Sequence, residues 1–445
     1  MSILNNSNAI STGGGYNLEN SLRFRKSASA YLSRTFGTAT DSKVWTYSAW
    51  VKRGTLGADR DALFTAYTAG NDAGYANLTF TSNDKLTLSR WGFSNFKTNQ
   101  LFRDTSAWYH IILSVDTSNA TAADRIIVYV NGIRATMSAY SAPALNSDIG
   151  PINTATQHTL FSDDYLTGRW YYDGYGTEIN FVDGQALTPS DFGDYNENTG
   201  VWQPKKYTGT YGTNGFYLKG RGTDNSGNGN NWTENNFNTT TSTATTYDIM
   251  TDVPTLTDED TANFATFNPL YTGSASATIS DGNLKTATTS TGYGTTVASI
   301  VPTAGKYYAE FTYQVGANGI TGITDTSLAA SNTTLPTQGT KSIGYYTDGR
   351  IFTNGTTVIT TVASYAVNDV IGIAIDYDAG TVEWYKNNTS VYTKTGADLT
   401  DVTFMAADFT NSGNATWSVN FGQQPFKYTP PAGYLKLNTF NLPDS

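Results

Sequence analysis

The feature that most narrows the fold is a hydrophobic period of two that recurs along the chain, while no window of about fifteen residues holds a period of 3.6. In Trp108–Asp116 (WYHIILSVD), Tyr109, Ile111, Leu113 and Val115 share one face. In YAEFTYQV, Ala309, Phe311, Tyr313 and Val315 do the same. Ile371, Ile373, Ile375 and Tyr377 alternate with Gly372, Ala374, Asp376 and Asp378, and Trp417, Val419 and Phe421 alternate with Ser418 and Asn420. Successive strand side chains point to opposite faces, so each run reads as a half-buried antiparallel strand. Asn131-Gly132, Asn354-Gly355 and Asn387-Asn388 separate such runs, and Asn and Gly supply the positive φ of a two-residue hairpin. The best helical signal is a single turn at Thr188–Phe192, with a Thr cap and Pro at the first helical position.

Composition supports an all-β reading. A length of 445 residues suits two or three domains. Aromatic residues make up 13% of the chain, enough to fill sizeable cores. Only seven of the 37 acidic residues are Glu, and Asp favours turns and caps where Glu favours helices. The net charge of −10 leaves no basic surface for general nucleic-acid binding, and Leu22–Lys26 (LRFRK) is too short to reverse this. With no cysteine, the chain has no disulfide, thiolate metal site or Cys nucleophile. The longest apolar run, near Val370–Ile375, cannot span a membrane as a helix. The opening MSILNNSNAIST lacks a basic segment followed by an apolar one, so the expectation is synthesis in a cytoplasm without a secretory signal.

Two stretches lack strand pattern. Residues 1–20 are rich in Asn, Ser and Gly and read as an arm. Residues 222–262 contain GTDNSGNGNN and a Thr run, and read as a polar linker. This leaves β-domains at 21–221 and 263–428 and a short tail at 429–445.

Residues 263–428 resemble a SPRY domain. Gly305–Glu310 (GKYYAE), Ile343–Arg350 (IGYYTDGR), Asn368–Gly372 followed by Gly380–Asn388 (GTVEWYKNN), and Val419–Phe426 (VNFGQQPF) fall in that family's order, with Ala309 where an aromatic is usual. Residues 21–221 resemble the laminin-G/pentraxin branch of concanavalin A-like jelly rolls, through Tyr47–Lys52, Trp108–Ile111, Arg125–Gly132 and Tyr175–Leu187, the last as its closing strand. These resemblances imply two tandem antiparallel β-sandwiches, a jelly roll followed by a bent SPRY-type sandwich. SPRY domains are mostly binding modules. The two domains together with the NSGNGNNW link and the tail YLKLNTFNLP resemble structural proteins of marine tailed bacteriophages.

Sugar sites pair flat aromatic faces with Asp or Asn, because a sugar has an apolar face and hydroxyls. The candidates in the first domain are Trp91, Trp170, Tyr171, Tyr172, Asp173 and Tyr175, and in the second Tyr345, Tyr346, Asp348 and Arg350; for each cluster the alternative is core packing. Trp384 and Trp417 read as core. No catalytic residue is expected. The Glu-x-Asp-x-x-Glu pattern of glucanases is absent, though carboxylates from separate strands can still converge. His110 reads as a structural histidine on the strand face opposite Tyr109, and His158 carries no motif. The resemblance to laminin-G and pentraxin domains keeps a Ca²⁺ site open, with Asp116, Asp124, Asp163, Asp164 and Asp173 in expected loops; otherwise no cofactor is expected.

The expectation is a non-enzymatic virion protein (head fibre, capsid decoration or tail-fibre component) displaying carbohydrate- or protein-binding modules for host attachment. Its partners would be other virion proteins and a host-surface glycan or protein, with no nucleic acid and no membrane insertion. The arm at 1–20 would anchor it by strand addition, and display as a homo-oligomer, a trimer being one option, would raise avidity. The alternatives are a glycoside hydrolase of the glucanase-like fold and a bacterial surface adhesin.

Overall fold

The computed structural model describes residues 16–68, 74–90, 96–165, 168–197, 199–271, 277–288, 294–325, 341–353, 357–408 and 414–443. The chain forms two compact units. The first runs up to Thr239 and takes in Asp248–Thr255; the second comprises Thr240–Tyr247 and the chain from Leu256 onward.

The first unit has two antiparallel sheets. One runs, edge to edge, Ile133–Arg134, Ile126–Val130, Trp108–Asp116, Val44–Arg53, Gly174–Asp183, Ser21–Phe24 and Ile249–Met250, with Phe216–Leu218 also paired to Gly174–Asp183. The other runs Met137–Tyr140, Phe96–Thr98, Leu86–Arg90, Tyr75–Phe80, Asp61–Tyr67, Gln157–Leu160, Tyr31–Thr35 and Thr233–Asn235. The inward set of each sheet meets in one core: Tyr109, Ile111, Leu113 and Val115 from the first pack with Ala76, Leu78 and Phe80 from the second. Alternation thus assigned these faces correctly; in the second unit Val315, expected to share the inward face of Ala309, Phe311 and Tyr313, is instead exposed beyond a β-bulge that follows Tyr313. The Asn131-Gly132 turn has φ of 47° and 82°, the left-handed pair such a hairpin needs.

The outer face of the first sheet is also covered, which a half-buried reading did not anticipate. Ile112 and Val182 point outward into a second apolar cluster with Phe192, Tyr207, Tyr211 and Tyr217. Gly174–Asp183, expected as a closing strand, is central, pairing Val44–Arg53 on one side and Ser21–Phe24 on the other. The expected helical turn is a single 3₁₀ turn at Pro189–Asp191, where the Asp191 carboxylate accepts the Thr188 amide at 2.9 Å.

The second unit is again two antiparallel sheets. Seven strands run Ala277–Ser280, Lys285–Thr288, Ala415–Asn420, Lys306–Gly316, Val370–Asp376, Thr381–Lys386 and Thr389–Lys394. Six run Thr295–Val297, Val402–Asp408, Gly319–Asp325, Ile343–Tyr346, Arg350–Thr353 and Thr357–Thr361. Phe311 of the first meets Phe404 of the second at 6.3 Å between ring centroids, and Trp384 and Trp417 are fully buried as expected. Asn387 and Asn388 take φ of 46° and 70°, whereas Asn354-Gly355 lies outside the described residues. Gly372 and Ala374, expected on an open face, are buried too; a Cβ at Gly372 would sit 2.4 Å from the Tyr308 hydroxyl.

The segment 222–262, expected as a linker, is built into the units. Thr233–Asn235 pairs with Tyr31–Thr35, Ile249–Met250 pairs with Ser21–Phe24, and Trp232 is buried in the first core. The reason is that its polar residues bond to backbone instead of water: Asn230 Nδ2 donates to the Gly215 carbonyl at 2.7 Å, and Asp224 accepts the Tyr217 amide at 2.9 Å. The tail beyond 428 is likewise fastened to the second unit, where Tyr307 bridges to Leu435 and Leu437 is buried. Of the expected arm, residues 1–15 lie outside the described residues, while Leu18 is buried.

Candidate ligand-binding site

Of the expected first-domain cluster, Trp170 and Tyr171 remain partly open to solvent. They sit on the hairpin Ser162–Tyr165/Gly168–Tyr171, where Asp163 is opposite Trp170. This hairpin lies on the outer face of the second sheet. Ala76 and Leu78 point into the core, so Tyr75 and Asn77 point outward, and both bond to Asp163. Tyr75 Oη donates to the two carboxylate oxygens at 2.7 and 2.8 Å. Burial pushes the Asp163 carboxyl up to about 6, against the lowering pull of Tyr75 and Arg60. Around it, planar groups cluster: the Arg60 guanidinium lies 4.3 Å from the Trp170 ring centroid, Arg169 lies 4.2 Å from that of Tyr31, and the Tyr31 and Tyr171 rings are 6.0 Å apart and tilted at 50°. Arg169 also pairs with Asp164. Each guanidinium over a ring is a cation–π contact that ties the aromatic side chain to a neighbouring segment.

The rest of the cluster is core, a correction to its expected role. Tyr172 is fully buried and its hydroxyl donates to the Lys52 carbonyl at 3.0 Å. Tyr175 packs at 6.3 Å from Trp108, and Asp173 is buried with its carbonyl accepting the Gly54 amide at 2.8 Å. The cause is local: the chain leaves the hairpin after Tyr171 and becomes the central strand at Gly174. Trp91 lies outside the described residues.

Two further features of this unit were missed, because their residues converge only in three dimensions. Asp183 is buried and accepts four donors: the amides of Thr40 (2.7 Å), Asp41 (3.2 Å) and Asn214 (3.0 Å) and Asn153 Nδ2 (2.7 Å). This knot fixes an open groove of about 510 Å³ lined by Thr38–Lys43 and Asn153–Ala155. Glu178 sits at a β-bulge with φ of 50°, buried, its Oε1 accepting Tyr217 Oη at 2.6 Å and Tyr16 Oη at 3.3 Å. Burial pushes its carboxyl up to about 7. The adjoining cavity, about 50 Å³, is water-sized and too small for a sugar ring.

Both histidines are structural. His110 Nδ1 accepts Trp202 Nε1–H at 2.9 Å, its Nε2 meets Ser48 Oγ at 2.8 Å, and its ring stacks on Trp50. His158 stacks on Phe36 at 3.7 Å and its Nε2 accepts the Asn153 amide at 3.2 Å. Burial pulls both imidazoles down to about 3, so both are neutral. The five Asp considered for Ca²⁺ are scattered: Asp124 pairs with Arg134, Asp164 with Arg169, and Asp116 caps its own turn at Ser118. Among the described residues no three His, Cys, Asp or Glu side chains are placed to share a metal ion.

In the second unit, Tyr345 is core, its hydroxyl bonded to the Ala363 carbonyl. Tyr346, Asp348 and Arg350 do come together. Arg350 Nε donates to Asp348 at 2.6 Å, and its guanidinium lies 5.0 Å from the Tyr346 ring and 4.8 Å from Phe352. Asp348 is exposed and Arg350 partly so, while Tyr346 is mostly buried and bonds to Asn318 Oδ1 at 2.7 Å.

Comparison with known proteins agrees with this architecture. The profile of the concanavalin A-like lectin/glucanases superfamily matches residues 26–174, and that of the SPRY domain matches residues 306–424. No curated protein matches the sequence. Among solved structures, the SPRY domain of human HERC1 is similar at 18% identity and a TM-score of 0.31, over 34% of this chain and 96% of that one. A human SPRY domain is similar at 16% identity and a TM-score of 0.27, over 32% and 94%. A heptameric SAP-like pentraxin from Limulus polyphemus is similar at 15% identity and a TM-score of 0.29, over 39% and 80%. The chain thus carries a concanavalin A-like domain and a SPRY domain in tandem, both nearly all β.

Proposed function

We propose that this chain is a non-enzymatic display protein in which the first sandwich takes a host-surface glycan at the Trp170/Tyr171 hairpin and the second presents a protein-binding surface at Asp348 and Arg350. The observation that carries the reading is the strip of half-open planar side chains, Tyr31, Tyr171 and Trp170, interleaved with Arg60 and Arg169 beside Asp164. Flat rings beside fixed hydrogen-bonding groups suit a sugar, which offers an apolar face and hydroxyls together. A lectin-like sandwich in tandem with a SPRY domain fits binding better than turnover, and a glycosidase would need a second carboxylate facing Glu178 across room for a sugar.

The carrier of these modules, on this reading, is the virion of a tailed bacteriophage, where the protein serves as a head fibre, capsid decoration or tail-fibre component. Support comes from the order of the two domains and the Asn/Gly-rich NSGNGNNW stretch late in the first unit. Gold-labelled antibody against the recombinant protein, applied to purified particles, tests it. Label on the head or the tail is the expected result and separates decoration from receptor recognition. Particles without label overturn the virion assignment and bring the adhesin and enzyme alternatives forward.

A further inference from the structure

Lys52 and Asp252 stand 200 residues apart in the chain and meet with Nζ 2.8 Å from Oδ2, and 0% of either side chain is exposed. In every other described Lys–carboxylate pair the lysine is at least 24% exposed. Strand register places Lys52 between Trp108 and Tyr175 on the outer face of the first sheet, and Nζ lies 5.7 Å from the Tyr175 ring centroid. Trp108 Nε1–H donates to the other carboxylate oxygen, Oδ1, at 3.0 Å. Ser21 Oγ donates to the Asp252 carbonyl at 2.6 Å, so the backbone under the carboxylate is held as well.

Taking both charges out of water penalises the ammonium and the carboxylate together. Moving one proton from Nζ to Oδ2 removes both charges and leaves a neutral amine touching a neutral carboxylic acid. An amine and a carboxyl fixed in contact react as one molecule, without the entropic cost of encounter. We propose that Lys52 and Asp252 join in an intramolecular isopeptide bond. The Nζ lone pair adds to Cγ. The Trp108 N–H, already aimed at Oδ1, holds the negative charge that develops there. A second Nζ proton passes to the Oδ2 hydroxyl, the Cγ–Oδ2 bond breaks, and one water leaves. The product is a secondary amide whose oxygen, Oδ1, keeps its bond from Trp108. The step consumes no oxidant, reductant or cofactor. It would bolt Asp248–Thr255 covalently to the central sheet, closing a loop whose length favours a large entropic gain.

Mass spectrometry of the purified full-length protein tests this. A linked protein weighs about 18 Da less than its sequence, and its digest contains one branched peptide joining the Lys52 and Asp252 segments. Asp252→Asn links with loss of ammonia, a deficit of about 17 Da. Lys52→Arg keeps the cation but has no amine to link, so its full mass returns. Trp108→Phe removes the donor to Oδ1 and lowers the linked fraction at a fixed time after synthesis. Separate, unmodified Lys52 and Asp252 peptides from folded wild-type protein overturn the proposal, and so does an unchanged deficit in Lys52→Arg.

Discussion

The two sandwiches face the same task, fastening a late stretch of chain onto the outer face of a sheet, and solve it with different chemistry. In the first unit the fastening is buried charge. Arg25 Nε donates to Asp248 Oδ1 at 2.7 Å and Arg23 Nε to the same oxygen at 3.2 Å, with Asp248 fully buried, and Lys52 holds Asp252. A fourth buried cation, Arg53, bridges Asp84 (3.1 Å) and Asp61 (3.4 Å) at the rim of the core. In the second unit the fastening is backbone and apolar contact. Glu310 accepts the amides of Lys427 and Tyr428, both at 2.8 Å, Leu437 is buried, and ion pairs such as Lys341–Asp398 lie at the surface. A carboxylate answered by amides needs no buried cation. The first unit therefore concentrates its vulnerability in a few charged residues, and the second spreads it over its core.

The sharpest way to break this contrast is Asp248→Ala, which removes the carboxylate that two buried guanidinium groups share in the first unit. A loss of about 3–5 kcal/mol is expected, read by calorimetry as a lowered transition for the first unit alone. Trp384→Ala is the mirror experiment: a loss of about 3–5 kcal/mol from the cavity in the second core, with the first transition unmoved. A change in both transitions from either variant would show that the units are not energetically separate.

A smaller effect concerns Glu178. Burial raises its folded pKa from the ordinary 4.5 to about 7, so its contribution to stability is present at low pH and lost as pH rises from about 4.5 through about 7. Glu178→Gln escapes that loss, and above pH 7 it stabilises the first unit by up to about 3 kcal/mol. The histidines have the opposite sign. Their folded pKa values lie near 3, so what they contribute is present above the ordinary 6.5 and declines as pH falls below it. His110→Gln flattens the acid side of the first unit's profile by about 1.4 kcal/mol per pH unit, and in NMR both wild-type rings stay neutral at pH 5. The smallest effect is Lys341→Ala, a surface pair whose loss costs the second unit less than about 1 kcal/mol.

The strands and their inward faces were legible because period two is a local property: Tyr109 to Val115 and Ile371 to Ile375 each name their own buried side. The hairpins at Asn131 and Asn387 were legible because the left-handed region excludes most other residues. What covers a sheet's outer face was not legible. Asn230, Asp224 and Trp232 lie in a stretch whose composition suits a solvated linker, and only their long-range partners reveal that it is packed. The site was half legible for a similar reason. Four aromatics within Arg169–Tyr175 mark a special segment, but the exit of the chain from hairpin into central strand after Tyr171 decides which rings stay open. Glu178 and Asp183 gave no local sign, since every partner that distinguishes them, from Tyr16 to Tyr217, is distant in sequence.

The most direct test of the binding assignment is a glycan array probed with the full chain and with a Trp170→Ala/Tyr171→Ala variant whose calorimetric transitions match wild type. The account predicts that the wild-type chain selects a defined class of glycans and that the variant loses at least about tenfold in affinity, the scale of removing stacked aromatic anchors from a site. Equal binding by the variant, or no glycan bound by the folded wild-type chain, would contradict it.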